Sequence, residues 1–100
     1  MDDLIEKVKV WGKEKGITNE ETQLLRGYEE YAEVARLITR GNYDKEELEK
    51  EIGDILVVTI ILADILGLDP KTCLEKAHKK NEKRTGRTVN GNFLKSEDLA

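Results

Sequence analysis

One cysteine, Cys73, stands in the 100-residue chain, which excludes an internal disulfide framework and a cysteine-built zinc site. One histidine, His78, excludes a His-rich metal site and argues against a Ser-His-Asp triad. A single proline and eight glycines exclude a collagen-like or loop-dominated chain. Aromatic residues reach only 5% while charged ones reach 38%, a balance that suits helices with solvated faces better than strands. There is no basic excess. The net charge is −4 and the pI about 5.1, where a general nucleic-acid binder would be basic. Nor is there a long hydrophobic run. The most apolar stretch, 55–66, is broken by Thr59 and Asp64 and falls short of the roughly 20 residues that span a bilayer. The start, Met1-Asp2-Asp3-Leu4, is acidic and does not read as a secretory signal. The expectation is a cytoplasmic helical protein with neither nucleic acid nor membrane as partner. At this size the core is modest, so a deep site is easier to build between subunits than within one.

What is present is helical periodicity. Leu4, Ile5, Val8 and Trp11 predict a first helix over 3–15, with Gly16 to end it. Thr18 with Glu21 is a capping box for a second helix that runs to Arg40 and stops at Gly41. Asp44 with Glu47 opens a third that ends near Gly67, and Asp69-Pro70 opens a fourth that runs to about Arg84. Four helices with short connections predict an all-α, antiparallel four-helix bundle-like subunit over 1–86. Residues 87–100 remain as a tail or small hairpin arm around the turn signal Asn90-Gly91-Asn92. Segment two has two apolar sides, one of Leu24, Tyr28, Tyr31, Ala35 and Ile38, the other of Val34 and Leu37 beside Glu30 and Glu33. Segment three is apolar almost all round from Ile52, which one short subunit can hardly cover, so an oligomer is expected.

Segment two holds Glu29-Glu30-Tyr31-Ala32-Glu33 and segment three Glu51-Ile52-Gly53-Asp54. Glu30 with Glu33, and Glu51 with Asp54, are three apart and so neighbours on a helix face. Each pair continues into an apolar stripe, and on antiparallel helices the two pairs can face each other. Carboxylates gathered at a core edge must take up protons or a cation. Oxygen ligands alone favour a hard ion, Mg²⁺ or Mn²⁺, and Mg²⁺ commonly joins carboxylates to phosphates. Such pairs also arise by chance in a chain with 21 acidic residues and then decorate a wet face, so on the residues alone both readings stand.

These residues carry a resemblance. The chain resembles the MazG-type nucleoside triphosphate pyrophosphohydrolases of the all-α superfamily that includes dimeric dUTPases. Its EExxE, spacer and ExxD are filled at every acidic position. The likeness extends through Val10-Trp11, Lys15-Gly16-Ile17, Gln23-Leu24-Leu25, Leu66-Gly67-Leu68-Asp69, 80–84 and Asn90-Gly91-Asn92-Phe93. The resemblance implies Mg²⁺-dependent conversion of an NTP or dNTP to the monophosphate and pyrophosphate, a clean-up of the nucleotide pool. It implies Glu30, Glu33, Glu51 and Asp54 as metal ligands, with Mn²⁺ a possible substitute, and Glu29 as an adjoining catalytic acid. Gly27-Tyr28 and Tyr31-Ala32 depart from the usual pattern around the first glutamates.

Lys76, Lys80 and Arg84 repeat every four residues, with Asn81 beside them. They read either as a clamp on the triphosphate or as cations that complement a helix end. Trp11 reads as a core or interface anchor, or as a flat surface for a nucleobase. Tyr28, Tyr31 and Cys73 read as packing residues and His78 as an exposed one. Asp64, set in an apolar run, needs a partner. The alternatives to an enzyme are a nucleotide-binding regulatory module of the same fold and a purely structural helical oligomer. A homodimer or homotetramer is expected.

Overall fold

The computed structural model describes residues 2–98. Helix α1 (Asp2–Glu14) has Asp2 and Asp3 in its first turn and Lys13 in its last, charges that complement the helix dipole. It closes in a Schellman motif: Gly16 N donates to Lys13 O and Ile17 N to Gly12 O, both at 3.0 Å. Gly16 takes the left-handed φ of 71° that the motif requires.

Helix α2 spans Glu20–Arg40. Its cap is Asn19 rather than the expected Thr18. The Asn19 side-chain oxygen accepts from Thr22 N at 2.9 Å. The reason is local: Ile17 is still tied back to α1, so the chain enters the next helix one residue later. Helix α3 spans Lys45–Ile65. Asp44 holds its N-cap position without a side-chain capping bond. α3 ends as α1 does, with Leu68 N donating to Ala63 O at 2.8 Å.

α3 packs against both α1 and α2. Gln23 and Gly27 of α2 meet Val58 of α3, and Glu30 meets Glu51 and Asp54, so the two helices run antiparallel. Val34, Leu37, Val58, Ile61 and Ala63 form the core. Gly12 of α1 is buried against Ile61. Beside this contact Lys13 Nζ lies 3.7 Å from Asp64 Oδ2, which supplies the partner that Asp64 needed. These helices form one compact unit, through Pro70.

A second unit begins at Lys71. It holds all of α4 (Pro70–Glu82) but the first residue; no residue of α4 is buried, and Cys73 is exposed where packing was expected. It continues into a hairpin of β1 (Gly86–Val89) and β2 (Asn92–Lys95), followed by the short 3₁₀ turn 96–98. Asn90 (φ 52°) and Gly91 (φ 79°) both have positive φ, the requirement of a type I′ turn. The strands pair antiparallel from Gly86↔Lys95 to Val89↔Asn92. A Cβ on Gly86 would stand 2.0 Å from the Leu94 carbonyl oxygen, so glycine is fixed there by close approach. Four helices and this hairpin make the fold mainly α. Among the described residues no helix is long and apolar enough to cross a membrane.

The chain leaves much apolar surface uncovered. Leu24, Tyr28, Tyr31 and Ile38 of α2 are exposed, as are Ile52 and Leu56 of α3. The two tyrosines expected to pack are about two-thirds exposed, at 67% and 63%. They border a shallow apolar groove of about 230 Å³ between α2 and α3.

Candidate active site

Glu30 on α2 and Glu51 and Asp54 on α3 converge. Each offers a carboxylate oxygen, and these oxygens lie within 4.8 Å of one another. The three-residue spacing puts Glu51 and Asp54 on one face of α3, and the antiparallel packing brings Glu30 to the same level. Glu30 is mostly buried, with its side chain 15% exposed, and the Arg26 guanidinium one turn earlier stands 3.8 Å away. Glu51 titrates above the ordinary glutamate range. Partial burial is the leading cause, followed by the charges of Asp54, Glu30, Glu33 and Glu47. The donor set is oxygen alone and its spread suits ligands that share one hard cation, so the residues fit Mg²⁺ or Mn²⁺.

Glu33 is not among the converging three. It pairs with Arg36 on its own helix, yet its charge reaches Glu51. Glu29 is exposed and also outside the group.

The acids flank a cleft of about 450 Å³, within the α1–α3 unit. Glu30 and Asp54 line one part, and Trp11, Asn19, Thr22, Gln23 and Arg26 line the remainder with apolar Ile17, Val57, Val58 and Ile61. Trp11 is 46% exposed, so it is a wall of the cleft rather than a core anchor. Arg26 and Gln23 escaped the sequence reading. Arg26 carried a signal, its position four before Glu30. Gln23 carried only its place in the Gln23-Leu24-Leu25 stretch of the resemblance, because a polar residue at a helix start otherwise reads as solvated. Lys76, Lys80 and Asn81 are exposed on α4, and Arg84 follows the helix, all in the second unit.

Comparison with known proteins shows the family. The MazG nucleotide pyrophosphohydrolase domain family matches residues 18–88. The chain belongs to the MazG family. The MazG match takes in both acidic motifs. Nucleoside triphosphate pyrophosphohydrolases of Escherichia coli K12 and O157:H7 are each 40% identical over 57 residues, 57% of this chain. The chain spans only 22% of the length of those relatives. The crystal structure of a Bacillus-conserved MazG protein, a nucleotide pyrophosphohydrolase, superposes with a TM-score of 0.72 at 26% identity. That match covers 84% of this chain and 90% of the other.

The raised Glu51 pKa has a signed consequence for this MazG domain. A carboxyl whose pKa is higher folded than unfolded costs stability as it ionises, so its penalty grows as pH rises from the ordinary glutamate value through the folded one. Glu51→Gln removes that penalty. Without divalent cations, the melting temperature of Glu51→Gln relative to the parent is expected to climb across this window and then level off. Melting curves from pH 4 to 7 on the order of half a unit apart would check it. A difference that stays flat with pH would contradict it.

Proposed function

We propose that this MazG domain is a Mg²⁺-dependent hydrolase that converts a nucleoside triphosphate, ribo or deoxy, to the monophosphate and pyrophosphate. The observation that carries the reading is the meeting of Glu30, Glu51 and Asp54 at a nucleotide-sized cleft with Trp11 on its wall. Membership of the MazG family and the names of its relatives support it. A bound divalent cation would neutralise phosphate charge and lower the pKa of a coordinated water. Glu30, Glu51 and Asp54 would hold that cation, and Glu33, now paired with Arg36, would be a further ligand. Glu29 orients a ligand or the attacking water. Trp11 stacks on the base. Lys76, Lys80, Asn81 and Arg84 are cations and a polar group available to the triphosphate, assigned on charge and resemblance. The uncovered apolar faces of α2 and α3 support a homodimer or homotetramer. A cytoplasmic nucleotide pool fits such an activity.

The test is product analysis. Purified protein is incubated with each common ribo- and deoxynucleoside triphosphate, with Mg²⁺, with Mn²⁺ and with chelator. Metal-dependent monophosphate and pyrophosphate in equal amounts is the expected result. Diphosphate and orthophosphate would refute it. Binding without turnover would favour a regulatory module. Neither binding nor metal-dependent stabilisation would leave only a structural oligomer.

A further inference from the structure

Gln23 is the buried polar side chain of the described residues, only 6% exposed. Its Nε2 donates to the Val58 carbonyl at 3.2 Å, across the α2–α3 seam. A carbonyl accepts but does not donate, so this bond fixes which end of the amide is nitrogen. The oxygen is the other end, and it has no donor in the seam. Among the described residues no fully buried side-chain oxygen or nitrogen lacks a partner. The Gln23 oxygen is therefore still reached from outside. An aliphatic residue would fill this position without desolvating an amide, so an amide held here with its acceptor open invites a ligand.

Gln23 lines the cleft that Glu30, Asp54 and Trp11 also line, and it borders the apolar groove on the opposite side. Two arguments direct its oxygen to the cleft. Gln23 lies seven residues before Glu30, hence on the same stripe of α2 and about 10 Å along the axis from it. With the phosphates held at Glu30, that rise matches the reach across sugar to base. The groove, by contrast, is apolar apart from Thr59 and the tyrosines, and the Thr59 hydroxyl is committed to the Ile55 carbonyl at 2.7 Å.

We propose that Gln23 Oε1 accepts a hydrogen bond from an N–H on the base-pairing edge of the bound nucleobase, and so sets base specificity. This rests on the pyrophosphohydrolase reading and deepens it. The anchored Nε2 keeps the amide from rotating, so the site presents an acceptor only. A base edge that brings an acceptor to this point, or a methyl group in place of the hydrogen, leaves the oxygen desolvated and unpaired.

The test pairs a change in the protein with a change in the substrate. Gln23→Met keeps the length of the side chain and removes the amide. The substrates are the best-used triphosphate and its counterpart N-methylated at the base-pairing edge. In the parent protein methylation is expected to lower kcat/KM about tenfold to a hundredfold. In Gln23→Met the unmodified nucleotide should fall by a similar factor and the methylation penalty should nearly vanish. A parent that ignores methylation overturns the proposal, as does a variant that keeps the full penalty. So does an equal loss of Mg²⁺-dependent affinity for inorganic tripolyphosphate, which would show general damage. Loss of assembly with base ranking intact would place the oxygen on the groove side and overturn it too. No turnover of any nucleotide by the parent defeats the underlying reading as well, whereas turnover with an unchanged methylation penalty defeats this proposal alone.

Discussion

Asparagine in place of Asp54 is expected to lower kcat/KM by about a thousandfold or more, roughly 4 kcal/mol of transition-state stabilisation. The fold should survive it. Asp54 is exposed, the described structure gives it no hydrogen bond, and its charge is one of those that push Glu51 up. Removing the charge relieves repulsion, so without divalent cation the variant should melt no lower than the parent. What it should lose is the rise in melting temperature expected of the parent with Mg²⁺ and nucleotide, because one of three converging carboxylates is gone. The two readings pull in opposite directions. A merely solvated acid would change neither activity nor metal response, and a structural one would lower the melting temperature without cation. Thermal scans with and without Mg²⁺, run beside the product assay, separate them. A variant that turns over at the parent rate would remove Asp54 from the site.

Much of this was legible because it depends on one helix at a time. The helix ends at Gly16, Gly41 and Gly67 and the hairpin turn at Asn90-Gly91 follow from local backbone chemistry. So does the pairing of Glu51 with Asp54, a matter of spacing on one face. The features that escaped depend on what lies across a seam. Glu33 is the exception, since the Arg36 that pairs with it stands three residues on along the same helix. Gln23 looks like solvated surface until Val58 is placed against it. Lys13, the partner of Asp64, is 51 positions away in sequence and meets it only once α1 packs on α3. The tyrosine face of α2 reads as packing because its period is helical. The period is right, but among the described residues Tyr28 and Tyr31 stay largely exposed.

The mid-helix glycines give the largest expected effect on stability, and they differ in sign. Gly12 of α1 is buried, and a Cβ there would stand 3.1 Å from Ile61 Cγ1 and 3.2 Å from Cδ1. Ile61 is itself only 3% exposed, so it has little room to give. Alanine would set the better helix propensity of its methyl, about 1 kcal/mol, against this crowding. Valine adds two further carbons where the first already crowds Ile61, and it loses χ1 freedom in the helix, so Gly12→Val should cost about 2 kcal/mol or more. For a two-state domain of this size that lowers the melting temperature by about 8–16 °C. Because α1 carries Trp11, opening this seam should also weaken nucleotide binding. Gly27 of α2 is the control. Its Cβ would meet only Val58 Cγ1, at an ordinary 3.8 Å, so Gly27→Ala should stabilise by roughly 0.5–1 kcal/mol. Gly53 on α3, beside Asp54, has nothing within 4 Å of its Cβ position in this chain. On the chain alone Gly53→Ala should stabilise just as much. If it destabilises instead, and the loss disappears on dilution to monomers, the Gly53 face of α3 is covered by a second copy. That would mark where the uncovered apolar surface goes.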